Sequence, residues 1–190
     1  METSPVSGRS PEESMSAEIS QNDKQKDWQR ESDRLDRITR ERGDDIGIET
    51  RIRDAVVALN LLGVLTTQSC AGHMERFRVP TPPFINFNSA SRQKMELLLH
   101  EFYEGKTITD DGRRITIKPT KSGVFFDSFG NQEIDPTGLK IESEGVGNLG
   151  GKGIFSSPRS IRERFQKCIV YSNEMNKDFS DFLKNKYFQG

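Results

Sequence analysis

The chain has 190 residues, 32% of them hydrophobic and 30% charged, and a formal net charge of −1. That length suits one ordinary domain plus a tail, and the near-neutral balance excludes wholesale nucleic-acid or membrane binding by bulk electrostatics while leaving room for a local basic patch. No stretch approaches the roughly 20 apolar residues of a transmembrane helix, the N-terminus lacks a signal-peptide pattern, and the two cysteines, Cys70 and Cys168, have no disulfide-framework or zinc-site spacing.

In chain order, Met1 to about Ser20 is rich in Ser, Glu, Pro and Gly and too poor in apolar surface to offset ordering entropy. Residues 21–42 carry dense mixed charge, with Trp28, Leu35 and Ile38 as the sizeable apolar residues. Helical spacing of Glu31 with Leu35 and of Arg34 with Ile38 would suit a solvated helix. The favoured expectation is a disordered, charged tail over 1–43, with Trp28 as an isolated aromatic able to anchor a partner, and a folded domain over 44–190.

That domain opens at Asp44-Asp45, an N-cap pair. Ile48, Ile52, Val56 and Leu59 recur at helical spacing, and Gly63 ends the helix as a C′ glycine. Val64 to Ser69 reads as a strand. Val79-Pro80-Thr81-Pro82-Pro83 is a helix-incompatible connector. Phe84-Ile85-Asn86-Phe87 reads as an internal strand, apolar on both faces. Asn88 or Ser89 caps a helix whose stripe is Met95, Leu98, Leu99 and Phe102, with Gly105 at its end. Thr107–Thr109 and Arg113–Lys118 flank a hairpin at Asp110-Asp111-Gly112, Lys121-Ser122-Gly123 turns into Val124-Phe125-Phe126, and a short strand follows at Leu139–Glu142. Gly145 to Ser157 is a glycine-rich loop. Ser157-Pro158 starts a long last helix whose face is Ile161, Phe165, Cys168, Ile169, Ser172, Met175, Phe179 and Phe182. The order implies an α+β single domain, with a mixed or antiparallel sheet, about three helices and a long C-terminal helix.

The most unusual segment is Thr66-Thr67-Gln68-Ser69-Cys70-Ala71-Gly72-His73. Cys70 is a soft nucleophile, His73 a base near neutral pH, and Gly72 permits a tight turn or close ligand approach. In a continuous strand Cys70 and His73 point to opposite faces; a turn at Ala71-Gly72 would bring them together, and a thiol beside an imidazolium has a lowered pKa. Against this, cysteine often serves as a small buried hydrophobe and His73 can bond a backbone carbonyl. Cys70 and His73 supply two ligands where zinc takes three or four; Glu75, Asp127 or His100 would have to complete a site, and no metal is assigned. Helical geometry sets His100 off the α-helical stripe and exposed.

Around these residues the chain resembles a family of small uncharacterised bacterial proteins with the pattern T-x-x-S-C-x-G-H, followed by a proline-bearing connector into an apolar strand, here Pro80 to Phe87. The helix ending in Leu59-Asn60-Leu61-Leu62-Gly63 fits the same pattern. More distantly it resembles the wybutosine-synthesising tRNA methyltransferase family, whose S-x-S-C-x-G-R falls on Thr67, Ser69, Cys70 and Gly72. Thr67 replaces the first Ser and His73 the Arg, and the downstream Trp and His pair is missing. The first resemblance covers roughly residues 46–104 and implies a shared fold there; neither carries over S-adenosylmethionine binding, and no cofactor follows.

Gly145-Val146-Gly147-Asn148-Leu149-Gly150 matches G-x-G-x-x-G in letters, but Gly151 and Gly153 follow it and the next helix starts only near Pro158, so no helix opens from the motif inside a βαβ unit and it reads as a surface loop. Lys152, Arg159, Arg162, Arg164 and Lys167 would make a phosphate site at the last helix; Arg76, Arg78, Arg92, Lys94, Arg113 and Arg114 recur elsewhere. Phe125, Phe126 and Phe129 suit either a base-stacking platform or a core. Two functional readings result. One is a small enzyme or ligand-binding domain in a reducing cytoplasm, with Cys70 as nucleophile, His73 as base, Thr67, Ser69 and Gly72 as the wall, and a nucleotide or RNA as ligand. The other is a non-enzymatic protein-interaction module in which the segment is a structural turn and the tail or C-terminal helix meets a partner.

Overall fold

The computed structural model describes residues 11–41, 48–72, 83–106, 115–120, 123–126, 132–135, 138–143 and 170–190. Helix α1 spans Pro11–Glu41, α2 Thr50–Leu61 and α3 Arg92–Tyr103. A last helix is described from residue 170 and passes through a π-helical stretch, Glu174–Phe179, into α4, Ser180–Gln189. Strands β1 (Thr66–Cys70), β2 (Phe84–Phe87), β3 (Ile115–Pro119) and β6 (Leu139–Ser143) form an antiparallel sheet in the order β1-β2-β6-β3. Strands β4 (Gly123–Phe126) and β5 (Gln132–Asp135) pair as a separate hairpin, with β4 lying beside β1. The fold is thus α+β, a four-stranded antiparallel sheet with a long C-terminal helix, as the element order implies.

Local chemistry explains several boundaries. At the end of α2, Gly63 donates to the Asn60 carbonyl (2.9 Å) and Val64 to the Leu59 carbonyl (2.8 Å). This is the Schellman arrangement; it requires a left-handed residue, and Gly63 sits at φ 78°. Val64 then enters the core directly. Asn88 Oδ1 accepts from Ala90 N–H (2.8 Å), capping a 3-10 turn at Ser89–Ser91 that leads into α3. The expected cap at Asp44-Asp45, the hairpin at 110–112, the glycine loop and the start of the last helix lie outside the described residues.

One face of the sheet carries the core. Ile85, Phe87, Ile115 and Ile141 are fully buried against Ile52, Val56 and Leu59 of α2, Met95, Leu99 and Phe102 of α3, and Met175, Phe179 and Leu183 of the last helix. The expected stripe of α3 is buried, as are Ile52, Val56 and Leu59 of α2, whereas Ile48 lies before α2, which starts only at Thr50, and is half-buried. Strand β2 is internal as expected, though Asn86 faces away from this core. Ser143, buried on β6, donates to the Tyr171 carbonyl (2.9 Å) and ties the last helix to the sheet.

The segment from 21 to 41 differs from the flexible tail expected there. It is helical, and Trp28 (9% exposed) and Leu35 belong to the core. Trp28 lies 6.0 Å from the Tyr187 ring, 5.4 Å from Phe188 and 5.1 Å from the Lys184 ammonium. Arg53 reaches from α2 to Asp36 (2.6 Å) and Ser32 Oγ (2.9 Å), and Asn60 donates to Glu31 (2.8 Å) while accepting from Thr66 N–H (2.9 Å). The dense charge that suggested a solvated tail is largely spent within and between helices, as in the Arg34–Glu31 fork (2.6 and 2.7 Å), which frees the sparse apolar residues to dock. Residues 1–10, 42 and 43 lie outside the described residues. Among the described residues no helix is long and apolar enough to cross a membrane.

Candidate functional site

Strand β1 ends at Cys70, and the chain leaves the sheet through Ala71 and Gly72, the latter at φ 85°. A left-handed turn is therefore present at the expected position; His73 lies outside the described residues, as do Glu75 and Asp127. Two distant residues grip the turn. Glu49, at the N-cap position of α2, makes no cap bond to its own helix; its carboxylate accepts instead from Ala71 N–H. From the π-helical stretch, Asn176 Nδ2 donates to the Ala71 carbonyl (2.8 Å) and to Ser172 Oγ (3.2 Å). Ala71 itself is buried. A π-helical widening inside an α-helix reaimed toward a neighbouring turn is a recurrent device near functional positions.

The Cys70 thiol is half-buried, and burial is the main cause that pushes its pKa up; Gly72 N–H, 3.4 Å from Sγ, pulls it down, and the nearby Glu49 carboxylate pushes it up again. The net direction favours the neutral thiol, opposite to what a nucleophile activated by an imidazolium requires.

Strand alternation separates the residues expected to form one wall. Ser69 pairs with Ile85 on the core face, whereas Cys70 pairs with Phe84 on the other. Thr67 sits at a bulge where the β1–β2 register shifts between Thr66 and Gln68, and its Oγ1 is buried without a hydrogen-bond partner. Ser69 and Cys70 thus do not share a surface. His100 is exposed on α3, and Arg92 and Lys94 are exposed on the same helix, Arg92 paired with Glu96 at 2.8 Å. The other arginines singled out in the sequence lie outside the described residues.

Cys70 does share a face with residues that spacing alone does not assemble. The register places Cys70, Phe84, Glu142 and Thr116 in one row across β1, β2, β6 and β3, and Gln68, Asn86, Lys140 and Lys118 in the next. Both rows are on the face turned away from the core. Asn86 and Glu142 form a buried floor at 5% and 8% exposure; Phe84, Thr116, Lys118 and Lys140 are half-buried, and Gln68 is exposed. Burial alone would raise the Glu142 carboxyl, but Lys140, bonded to Oε2, and Lys118, 3.2 Å from Oε1, outweigh it and hold it below the ordinary carboxylate range.

That direction sets a pH dependence. A carboxyl depressed on folding contributes stability that is complete above its unfolded pKa of about 4.3 and is lost as pH falls through the lower folded value. The stability difference between the wild type and Glu142→Gln is therefore expected at pH 6 and should vanish on acidification past that range. Urea titrations of both proteins across pH check it; a difference independent of pH would mean the lysines do not hold the carboxylate.

The residues added by the structure are Glu49, Asn176, Asn86, Lys118, Lys140 and Glu142. Glu49 and Asn176 reach Ala71 only through tertiary packing and leave no trace in local spacing. The sheet row was partly visible: Lys140 and Glu142 alternate with Leu139 and Ile141, the sign of a strand with one polar face. No family model matches the chain, and no curated protein or solved structure matches it either.

Proposed function

We propose that the chain is a non-catalytic binding module in which Cys70-Ala71-Gly72 is a structural turn locking β1 to two helices. The observation that carries this reading is Ala71. Its N–H is held by Glu49 and its carbonyl by Asn176, from elements far apart in sequence. A catalytic loop needs room for substrate, whereas this backbone is buried and bonded at both ends. The thiol beside it favours its neutral form, and a reducing cytoplasm suits a Cys70 that is free. The anchors expected for a protein partner, Trp28 and the C-terminal helix, are spent on each other, so among the described residues specific polar character is concentrated on the sheet face of Gln68, Lys118 and Lys140, above the buried Asn86 and Glu142.

The thiol-enzyme reading, with Cys70 as nucleophile, His73 as base and Thr67, Ser69 and Gly72 around them, draws support from one contact, the Gly72 N–H on Sγ. Alkylation of Cys70 against pH, in a Cys168→Ser background, separates the two. We expect slow reaction with an apparent pKa above the ordinary thiol value of about 8.5, brought down in Glu49→Gln, which removes the negative charge and keeps an acceptor for Ala71 N–H. A fast reaction with an apparent pKa well under that value, abolished in His73→Ala, would overturn the structural-turn reading and restore the nucleophile.

A further inference from the structure

Among the described residues the four-stranded sheet ends on one side in β3, while β4 lies beside β1 at the other side. An edge strand offers backbone donors and acceptors to another chain, so the direction of each group on β3 matters. Thr120 N–H donates inward to the Gly138 carbonyl at 2.9 Å, in the frame that pairs Lys118 with Lys140 and Thr116 with Glu142. Along an antiparallel strand these groups alternate sides residue by residue. The N–H and C=O groups of Ile115 and Ile117, and the carbonyl of Pro119, therefore point outward, away from β6.

Outward donors are scarce on this edge. Pro119 has none, and Ile115 N–H donates to Tyr103 Oη at 2.9 Å in a buried bond. Tyr103 is the last residue of α3 and is itself buried. Its ring meets Phe102 edge-on at a centroid distance of 4.9 Å, and Phe102 packs in turn on Phe179 and Phe182. The hydroxyl is thus held in place by the helical side of the core. It occupies a backbone donor as a further strand would, without creating a new edge.

The geometry also names what that bond excludes. The outward positions are symmetric about Ile117. A second copy's β3, antiparallel and centred there, would exchange Ile117 N–H and carbonyl bonds with the first, and each copy's Ile115 N–H would reach the Pro119 carbonyl of the other. This register uses all three outward positions and matches the antiparallel pairing throughout the sheet. It sets Thr116 opposite Lys118 instead of lysine against lysine. Ile117, partly buried and packed on the core, would gain apolar cover from its symmetry mate. With Ile115 N–H held by Tyr103, half of the donors for this pairing are gone. We infer that the outer edge of β3 is a self-pairing surface for a second copy of this chain, held closed by the Tyr103 hydroxyl. The inference is independent of the binding-module reading above.

Tyr103→Phe removes the hydroxyl and keeps the ring against Phe102. In analytical ultracentrifugation of the full chain, this variant should self-associate about tenfold or more tightly than the wild type, the gain from releasing one donor in each copy. Hydrogen exchange reads the same event at one residue. The Ile115 amide should be protected in the wild type at every concentration. In Tyr103→Phe it should exchange faster when dilute and regain protection as concentration rises. Adding Ile117→Lys to Tyr103→Phe sets like charges across the symmetry axis and should return association to the wild-type level; circular dichroism reports whether each variant is folded. The inference is overturned if Tyr103→Phe associates no more tightly than the wild type, or if Ile115 protection in it does not depend on concentration. It is equally overturned if the folded double variant associates as strongly as Tyr103→Phe, because the contact would then lie elsewhere than at the β3 edge.

Discussion

Phe179→Ala is expected to lower the folding free energy by about 3–5 kcal/mol, the range for deleting a fully buried aromatic ring. Phe179 is 0% exposed and closes the π-helical stretch. It meets Phe102 of α3 edge-on at a centroid distance of 5.0 Å, and lies nearly parallel to Phe182, 6.1 Å away. Such pairs add about 0.5–1.5 kcal/mol to area burial, and neither neighbour can collapse into the gap without leaving its own helix position. For a chain of this size the thermal midpoint should fall by on the order of 10 °C. Urea denaturation followed by circular dichroism measures the effect; a loss smaller than about 1 kcal/mol, typical of a partly exposed site, would mean that the last helix does not seal the core.

Trp28→Ala should cost a similar amount, about 3 kcal/mol, though for a different reason. The indole joins α1 to the end of α4, covered by Tyr187, Phe188 and the Lys184 ammonium. Its loss removes the aromatic contact between α1 and α4, and the bonds left between those two helices, Lys24 to the Phe188 carbonyl (3.3 Å) and Tyr187 to the Lys24 carbonyl (3.2 Å), are partly exposed. Trp28 is the only tryptophan, so its emission reports the docked state in the wild type. Phe188→Ala should shift that emission to the red and make α1 more sensitive to protease while the sheet persists. Unchanged emission and protection in Phe188→Ala, with a negligible cost for Trp28→Ala, would show that α1 stands apart from the domain.

The two readings of α1 show where sequence reasoning reached its limit. Period and turn chemistry located Ile52, Val56 and Leu59, the stripe of α3, the Gly63 stop, Phe84–Phe87 and Leu139–Glu142, because each is written in local spacing or a single special residue. Trp28 and Leu35 are seven positions apart in a charged segment, two turns of one helix face, and the ring partners of Trp28, Tyr187 and Phe188, are too remote for local pattern to connect. Gln132–Asp135 has neither β-branched enrichment nor clean alternation, and β5 exists through pairing with β4. For the candidate site, Cys70 and Gly72 stood out by chemistry and the turn between them was legible. Their electrostatic setting was not, since it depends on Glu49 and Asn176. Nor was the polar face: Asn86, Lys140 and Lys118 become neighbours only when three registers are fixed, and a slip of one residue in any strand would send its residue to the core side.

The position of β6 has a kinetic consequence. It is made after β2 and β3, yet it lies between them. Until residues 139–143 arrive, the two strands have no common neighbour, and the sheet closes by inserting a late segment into a preformed gap. Such long-range closure is entropically costly before it is rewarded, so folding should be slow for the chain's size. During that delay the unsatisfied side of β2, with Ile85 and Phe87 uncovered, is an edge on which another chain can pair, and aggregation during refolding should compete most strongly at this step.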